Sequence, residues 1–484
     1  MNAGAVAVAT ILLVVVGGAA IGILAGSGRR MDLEQWTVGG RQFGVLLVWL
    51  LMAGEFYTTF TFLGASGWAY SRGAPVYYVL AYQPLSCVVG YFLAPRIWEL
   101  GRDYRAQTLA DFFAARFASE RLGALVALVG IVFLIPYLEL QLTGLGVIVE
   151  VASAHAVGRV PAMLSAFALV AVFVYTSGIR GVAWVSVLKD ALLLAVVVTV
   201  GVAIPIRYFG GIGPMFATLA RTAPRLLVLP GKTTNLGPTW FATTVLLTAF
   251  GAPVWPHLFA ANLSAKSAET LRRNAIVMPL YGITIPLVIF VGFAATVVLP
   301  GLRDGDLSML ALVAKTFPAW VLGIVGGAGA LTAMVPSAVL ILSAATLFMK
   351  NVVRPLFAPA LDDRGVARGA RWAVFVVTAI ALGFAIHGSS TLVALLLIGY
   401  AGVAQFLPGV LLGAFWPRTS KVGVACGLVL GLAIVGGLML TGRDPYRGVN
   451  AGFLGLCANL ACVFLVSVTT RRAAAAASVR APAG

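Results

Sequence analysis

Charged side chains are scarce in this chain of 484 residues. Only 10% of the residues are charged, and Asp and Glu together number 16. Ordinary soluble domains carry roughly a quarter charged residues, whereas the mean hydropathy here is +1.00. Apolar runs of about 20 residues, the length needed to cross a ~30 Å hydrocarbon core, recur along the whole sequence. The sequence therefore excludes a string of soluble domains and predicts one all-α integral membrane domain.

Cysteine, histidine and nucleotide-binding motifs are equally rare. The four cysteines lie inside apolar runs with no CxxC spacing, so neither a disulfide framework nor a zinc site is indicated. The three histidines, His155, His257 and His387, lack metal-site spacing, which argues against a metal-dependent membrane enzyme. Of these, His257 is predicted to be an interfacial residue with satisfied hydrogen bonds, and its alternative role is a pH-responsive gate. There is no Walker A motif, so ATP is not the expected energy source.

Thirteen apolar segments are long enough to cross a membrane. They cover approximately residues 4–26, 43–70, 74–98, 121–152, 159–177, 183–206, 238–262, 274–300, 317–349, 371–388, 391–416, 419–441 and 449–470. The first segment has no basic residues before it and is longer than the core of a signal peptide. We therefore expect it to be a retained helix rather than a cleaved signal.

Lys and Arg are unevenly divided between the connections of these spans. Alternate connections carry 22 and 10 of them, and the remaining one, Lys189, lies inside span 6. Since cytoplasmic connections collect Lys and Arg, we expect the N-terminus outside and the C-terminus in the cytoplasm. The positive residues lie between apolar runs and not along one face, so the net charge of +17 does not indicate a nucleic-acid partner.

Two of the spans are interrupted by polar residues, glycine or proline. In span 2, Glu55 follows Gly54 and precedes a run of hydroxyl residues, and span 7 is interrupted at Gly251–His257. An ionisable group at mid-bilayer is costly, and irregular backbone is tolerated there only where protein buries it or a cavity receives it. The two spans are five helices apart and cross in opposite directions, which is the pattern of an inverted-repeat secondary transporter.

The inverted repeat suggests how the chain is divided. Spans 2–6 and 7–11 would be the two repeats, and spans 1, 12 and 13 would lie outside them. The predicted units are the first helix and loop (1–42), the first repeat (43–237), the second repeat (238–418), two C-terminal helices (419–472) and a short disordered tail (473–484).

Several motifs resemble those of the sodium:solute symporter family. They are VGGR at Val38–Arg41 before span 2, Phe62–Gly73 at its exit, Gln107–Phe117 in an amphipathic helix, and Tyr175–Trp184 between spans 5 and 6. The resemblance implies a core of five plus five helices in the inverted-repeat, LeuT-like fold. It also implies ion-coupled uptake of a small solute by alternating access, with no enzymatic activity and no cofactor.

Within this family the chain resembles the bacterial monocarboxylate permease branch. The similar segments are Gly54–Thr58, Pro136–Gly144, Lys189–Asp190, Pro256–His257, Lys266–Tyr281 and Val335–Asn351. The resemblance implies uptake of lactate, pyruvate, propionate or acetate across a bacterial plasma (inner) membrane, with no obligatory protein partner. The alternatives are a sodium symporter for another small solute, such as an amino acid, a sugar or pantothenate, and a membrane sensor without transport.

The expected coupling ion is sodium or a proton. The family resemblance implies sodium bound by backbone carbonyls of span 2, near Gly54, and by two adjacent hydroxyl residues of span 9. Those two positions are Val335 and Pro336 here, and neither side chain offers an oxygen to a hard cation. Ser337 lies one residue further and would need a proline distortion to reach the site. Glu55 is the candidate for proton coupling, and its alternative role is a permanent ion pair with Lys189 or a helix cap.

Lys189 lies about 13 Å inside span 6, counting 1.5 Å per residue from the end of the span. An ammonium group at that depth needs a partner. The partner is either the carboxylate of the substrate or a structural carboxylate, for which Asp190, Glu55 and Glu139 are available. Asp190 is expected to serve a different neighbour, since consecutive residues on a helix point about 100° apart.

Hydroxyl and amide side chains complete the predicted substrate site. Tyr57, Thr58 and Thr61 follow the interruption of span 2, and Tyr137 and Gln141 lie four residues apart on one face of span 4. Each of them also has a structural alternative. Thr hydroxyls often bond to their own helix, and polar side chains in a membrane also join neighbouring helices.

Overall fold

The computed structural model describes residues 3–26 and 33–480, except for the side chains of residues 26, 177 and 471–480. The described chain is built from helices, with two isolated β-bridges. Among the described residues, eleven helices are long and apolar enough to cross a membrane, and two bent pairs of shorter helices bring the number to thirteen. The prediction of an all-α domain with about thirteen spans is confirmed.

The thirteen spans keep the numbering used for the sequence. They are Ala3–Ala25, Val45–Phe56 with Phe60–Ser71, Ala74–Asp103, Glu120–Ala152, Arg159–Thr176, Gly178–Phe209, Pro238–Val254 with Pro256–Ser264, Ala268–Val298, Ala319–Leu356, Asp363–His387, Leu392–Phe415, Lys421–Leu440 and Ala451–Thr470. Shorter helices in the connections between the spans include Leu33–Val38, Leu109–Arg116, Ile212–Thr222 and Ser308–Thr316.

The observed ends differ from the predicted ends by a few residues. The largest differences are at spans 9 and 10, which reach Leu356 and start at Asp363, because their helices continue through basic residues that we assigned to the connection. The final helix is described as far as Arg480, beyond the predicted tail boundary at residue 472. The last four residues of that predicted tail, 481–484, lie outside the described residues.

A reversal without a loop joins spans 5 and 6. Gly178 has φ 58° and ψ −172° between the two helices, a conformation that side chains with a Cβ rarely adopt. A Cβ on Gly178 would also lie 2.8 Å from Cδ1 of Trp36, a buried residue of the helix Leu33–Val38. Glycine is therefore needed here both for the turn and for the close approach of Trp36.

The two interrupted spans are bent at the places that the sequence indicated. In span 2 the two halves meet at 48°, and Tyr57 leaves the helical region with φ −94° and ψ 85°. In span 7 the halves meet at 49° around Trp255, between Pro253 and Pro256. Both prolines lack an N–H group and so cannot continue the ladder of helical hydrogen bonds.

Backbone hydrogen bonds fix the relative direction of the two bent spans. Phe43, just before span 2, pairs with Ala265, just after span 7, in a short parallel bridge. The Phe43 N–H donates to Ser264 O at 3.0 Å, and the Lys266 N–H donates to Phe43 O at 3.0 Å. Since the start of one span meets the end of the other, the two spans cross in opposite directions, as predicted.

Polar contacts gather the remaining ends of the spans into two sets. One set includes Arg41 with Ala106, Lys350 with Asp111 and Arg116 with Gly413. We call this side of the protein the basic side, because the connections that carry 22 of the Lys and Arg residues belong to it. The opposite side includes Arg159 with Asp304, Tyr70 with Leu299 and Asp306 with Leu392. Arg29 and Arg30, which were assigned to the basic side, lie outside the described residues. That the basic side faces the cytoplasm stays a prediction.

Span 9 forms the centre of the helix bundle. It is buried along nearly all of its apolar length and packs against spans 1, 4 and 10 and against the helical stretch Arg159–Phe209, which contains spans 5 and 6. Spans 12 and 13 pack mainly against each other and carry exposed apolar residues such as Leu430 and Phe464. This arrangement places the two bent spans inside the bundle, next to the central helix.

Candidate functional site

The bend in span 2 frees a set of backbone carbonyls in the middle of the protein. The last regular helical hydrogen bond of the first half runs from Tyr57 N–H to Ala53 O at 3.0 Å. A helix end leaves about four carbonyls without helical partners, which here are those of Gly54, Glu55, Phe56 and Tyr57. Since buried carbonyls need hydrogen bonds, the side chains that satisfy these four define the site.

Lys189 supplies the partner for two of these carbonyls. Its Nζ lies 3.0 Å from Gly54 O and 3.2 Å from Tyr57 O, and 2.9 Å from Oδ1 of Asp190. The Tyr281 hydroxyl donates to the same Oδ1 at 2.7 Å. The side chains of Lys189 and Asp190 are 0% and 2% exposed. The ammonium group is thus buried among three oxygens of the protein.

This geometry corrects one expectation about span 6. Asp190 does contact a different neighbour, Tyr281, but it also pairs with Lys189, contrary to our prediction. The four-carbon chain of Lys189 is long enough to bring its ammonium group back across the angle that separates adjacent residues on a helix. The expectation that Lys189 needs a structural or substrate partner is therefore met here by Asp190, while Glu55 has another partner.

Two hydroxyl groups satisfy the other freed carbonyls. The Tyr137 hydroxyl donates to Glu55 O at 3.2 Å, and the Thr61 hydroxyl donates to Phe56 O. Thr58 accepts a hydrogen bond from the N–H that begins the second half of span 2, with a distance of 3.2 Å. These three side chains thus bond to the backbone at the bend in the described conformation.

Gln141 holds the second half of span 2 against span 4. Its Oε1 accepts from the Thr59 hydroxyl at 2.7 Å and lies 3.4 Å from the Thr59 N–H. One turn further, a Cβ on Gly144 would lie 1.8 Å from Cγ2 of Thr59. Tyr137 and Gln141 therefore share a face of span 4, as predicted, and this face lies against the bend.

Glu55 and His257 join the two bent spans. Glu55 Oε2 lies 3.3 Å from His257 Nε2, and the side chains are 0% and 1% exposed. Apart from this contact, the Glu55 carboxylate oxygens and His257 Nδ1 have no hydrogen-bond partner in the part of the chain that the structure describes. His257 is buried and not interfacial as predicted, because the bend places it, two residues after Trp255, inside the bundle.

Aromatic rings surround this acid–imidazole pair. The ring centroids of Tyr137 and Trp255 are 5.1 Å apart, and those of Tyr137 and His257 are 5.7 Å apart. Trp255 also contacts Tyr400 of span 11 at 5.2 Å, and Tyr400 contacts Tyr82 of span 3 at 6.0 Å. All of these residues are buried, so the polar centre is closed to solvent in this conformation.

Most of the nominated residues lie around the bend in span 2, whereas Ser337 bonds to its own helix. Around the bend in span 2 lie Gly54, Glu55, Tyr57, Thr58, Thr61, Tyr137, Gln141 and Lys189. Ser337 is in span 9, where its hydroxyl donates to Ala333 O of its own helix at 2.7 Å, beside the buried Val335 and Pro336.

Three residues that contact the site were not predicted from the sequence: Tyr281 and Thr284 of span 8, and Thr59 of span 2. Tyr281 bonds to Asp190, and the hydroxyl groups of Thr284 and Tyr57 are 2.6 Å apart. Thr59 stands in the hydroxyl run of span 2 and was passed over in favour of its neighbours. No pattern in span 8 marked Thr284, whereas Tyr281 lay at the end of the segment Lys266–Tyr281, which resembles the monocarboxylate permease branch, without an assigned role.

A cavity of about 480 Å³ lies on the opposite side, and arginines are prominent in its lining. Arg72, Arg159 and Arg303 line it together with Asp304 and Asp306. Asp306 Oδ2 accepts from the N–H that begins span 11, at 3.1 Å. Burial, helped by the neighbouring charge of Asp304, raises the pKa of Asp306 to about 7, although that N–H opposes the change.

A second cavity, of about 550 Å³, lies on the basic side. Lys350 Nζ lies 2.7 Å from Asp111 Oδ2, and Asn351 Nδ2 donates to the other carboxylate oxygen at 2.7 Å. Asp111 also forms a capping box with Thr108 at the start of the helix Leu109–Arg116. Burial alone would raise the pKa of Asp111, but the Lys350 ammonium and Asn351 amide outweigh it and lower that pKa.

Several known proteins are similar to this chain along most of its length. The model of the sodium:solute symporter family matches residues 36–431. "Uncharacterized symporter YhjB" of Bacillus subtilis (strain 168) is 42% identical, over 99% of both chains. A "Monocarboxylate transport permease protein" of Rhizobium johnstonii is 28% identical over 90% of both chains. A "Sodium/pantothenate symporter" of Escherichia coli (strain K12) is 23% identical over 86% of both chains.

Solved structures resemble the fold at lower identity. A sodium-coupled sialic acid symporter in a substrate-bound outward-open state has a TM-score of 0.79 and 17% identity, covering 96% of this chain and 98% of its own. Mhp1, a transporter of the nucleobase-cation-symport-1 family, has a TM-score of 0.59 and 14% identity, covering 90% and 94%. This likeness confirms the LeuT-like fold that the family resemblance implied.

Proposed function

The chain belongs to the sodium:solute symporter family, and from this premise we propose that it takes up a short monocarboxylate by ion-coupled symport. The substrates would be of the lactate, pyruvate, propionate or acetate class. The energy would come from an ion gradient, and access to the site would alternate between the two sides of the membrane.

The closed polar centre between the two bent spans is the observation that carries this proposal. Glu55 of span 2 and His257 of span 7 meet there at 3.3 Å, out of contact with solvent. A transporter needs a site that its two repeats can open in turn to either side. A channel would instead keep a continuous water-filled path, which is not what a centre with buried Tyr137, Trp255 and Tyr400 offers.

The names of the relatives support a carboxylate as the substrate class. Monocarboxylate, pantothenate and sialic acid each contain a carboxylate group, and they occur in the names of two relatives and a structural neighbour. Arg72, Arg159 and Arg303 at the cavity on the opposite side would attract an anion toward the protein. The monocarboxylate relative matches over 90% of both chains, which favours the short members of this class.

The donors at the bend are the groups that we assign to substrate binding. Tyr57 and Tyr137 each offer one hydroxyl donor beside aromatic rings. Gln141 Nε2 is buried with no hydrogen-bond partner among the described residues, and a carboxylate oxygen would satisfy it. We also assign Thr58 and Thr61 to substrate binding, since rearrangement of span 2 would free their hydroxyls from the backbone.

Uptake into liposomes tests the proposal. Purified protein is reconstituted, and uptake of labelled lactate, pyruvate, propionate and acetate is driven in turn by a sodium gradient and by a pH gradient. Empty liposomes correct for passive permeation of the free acids. We expect saturable uptake of at least one of these acids, coupled to at least one of the gradients.

Two tyrosine variants show whether uptake depends on the assigned site. Tyr137→Phe keeps the ring contacts and removes the hydroxyl that donates to Glu55 O, so we expect uptake to fall about tenfold, the value of one lost hydrogen bond of about 1.4 kcal/mol. Tyr91→Phe, at a half-exposed ring that contacts Phe92, is the matched control and should transport normally. Folded protein that transports pantothenate, an amino acid or a sugar but none of the monocarboxylates would establish the alternative substrate class.

A further inference from the structure

The family name of the chain implies sodium as the coupling ion, and the family resemblance places that ion at the bend in span 2. A sodium site in such a transporter is built from unwound backbone carbonyls and further oxygens. The freed carbonyls here are those of Gly54, Glu55, Phe56 and Tyr57, and each already accepts a hydrogen bond from a side chain. The oxygens of this bend therefore decide whether a sodium ion fits.

The donor set at the bend does not fit a sodium ion. Gly54 O and Tyr57 O already accept hydrogen bonds from the Lys189 ammonium group. The two span 9 positions that the family resemblance implies for the site are Val335 and Pro336, whose side chains carry no oxygen, and the Ser337 hydroxyl donates to Ala333 O. A metal cation at this place would lie beside a buried positive charge and would lack ligands.

We propose that the Lys189 ammonium group is a built-in cation that takes the place of sodium at the bend, so that the protein works without sodium. The proposal concerns the coupling ion of the proposed symport. Only the transport measurement described below rests on that proposed function. The three N–H donors of an ammonium group face three oxygens here, those of Gly54, Tyr57 and Asp190, at 2.9 to 3.2 Å. The ammonium is therefore fully used by the protein, which leaves no donor for the carboxylate of a substrate.

The surroundings of Lys189 support a fixed charge. Asp190 supplies the countercharge, and the Tyr281 hydroxyl orients that carboxylate by donating to Oδ1. Gly54 allows the close approach, since a Cβ there would lie only 3.0 Å from Lys189 Nζ. Removing the lysine side chain would leave two carbonyls and a carboxylate around an open space, which is an oxygen-rich set for a small cation.

The first experiment measures sodium binding without any substrate. Thermal unfolding of the full-length protein is followed in sodium, potassium and choline chloride at one ionic strength and pH. For the native protein we expect the same midpoint in all three salts, because no ion binds at the bend. For Lys189→Ala we expect a higher midpoint in sodium than in the other two salts, since a ligand that binds only the folded state stabilises it.

A matched lysine variant controls for general salt effects. Lys350→Ala removes another lysine that is paired with an aspartate, Asp111, away from the bend. It should show no preference for sodium. Equal midpoints for Lys189→Ala in all three salts would refute the assignment of this position. If Lys189→Ala does not fold, the native protein still decides the matter, because a sodium-specific rise in its midpoint overturns the proposal.

The second experiment compares uptake in liposomes with sodium and with choline on both sides. We expect the same initial rate of uptake in the two salts. A rate that falls tenfold or more when choline replaces sodium overturns the proposal. Since the unfolding experiment needs no substrate, a failure to transport any monocarboxylate would count against the proposed substrate and would leave the test of Lys189 intact.

Discussion

Removal of the Lys189 charge gives the most direct test of how the bend is stabilised. Lys189→Met keeps a side chain of similar length and deletes the ammonium group. The change deprives Gly54 O and Tyr57 O of their donor and leaves Asp190 with the Tyr281 hydroxyl as its remaining partner. Breaking a buried ion pair by removing one partner costs about 3–5 kcal/mol. Proteins are typically stable by about 5–15 kcal/mol, so the variant should be close to its limit of stability.

A double-mutant cycle separates the ion pair from the carbonyl contacts. Asp190→Asn keeps both carbonyl contacts of Lys189 and removes the countercharge, and the double variant removes both charges. Because the double variant leaves no uncompensated buried charge, it should be more stable than the sum of the single effects predicts, by about 2–3 kcal/mol. The free energy of unfolding is measured by denaturant titration of each variant, followed by tryptophan fluorescence.

An exposed ion pair provides the control for this cycle. Arg273 lies 3.0 Å from Glu269 on the surface, with side chains that are 66% and 55% exposed. Arg273→Met should change the free energy of unfolding by less than about 1 kcal/mol, since exposed pairs are worth little. If the effects of Lys189→Met and Asp190→Asn simply add, or if Lys189→Met is as stable as the native protein, the reasoning about the buried pair is wrong.

Three further predictions concern the two sides of the protein and the packing of span 4. Burial raises the pKa of Asp306 from 3.8 to about 7, so the folded state binds an extra proton between these pH values. The free energy of unfolding should therefore fall by up to about 4 kcal/mol as pH rises from 4 to 7, and Asp306→Asn should remove this dependence. Thermal midpoints that do not move over this pH range would contradict the prediction. The pKa of Asp111 is lowered, so its contribution is present above pH 4 and should be lost as pH falls below 4; Asp111→Asn should lose stability near neutral pH and flatten this acid limb in the same assay. Gly144→Ala would place a Cβ 1.8 Å from Thr59 and should lower both stability and uptake, whereas Gly436→Ala, with no atom within 4 Å, should change neither.

The bends in spans 2 and 7 show which features of this fold can be predicted from a short stretch of sequence. Proline lacks a backbone donor, and polar or glycine-rich stretches inside an apolar run are costly in a regular helix facing lipid. These are properties of a residue and its near neighbours, so the spans, their number and the two bends were predicted correctly. The shared face of Tyr137 and Gln141 follows in the same way from the helical period.

The partners at the site depend on contacts between distant segments. Nothing in the sequence around Glu55 selects His257 over Lys189 as its neighbour, because the choice is made by how span 7 is bent and packed. Likewise, Lys189 reaches Asp190 by a side-chain conformation, and Asp190 reaches Tyr281 by the approach of span 8 to span 6. Side-chain torsions and interhelical distances are properties of the packed bundle.

The sequence by itself determined that this is a helical membrane protein with two interrupted spans and a lysine in need of a partner. It did so because hydrophobic length, charge and the lack of a backbone donor act locally. Only the tertiary structure decided that the ammonium of Lys189 occupies the carbonyls of the bend and that Glu55 meets His257. Those pairings follow from the requirement that every buried polar group find a partner somewhere in the three-dimensional bundle.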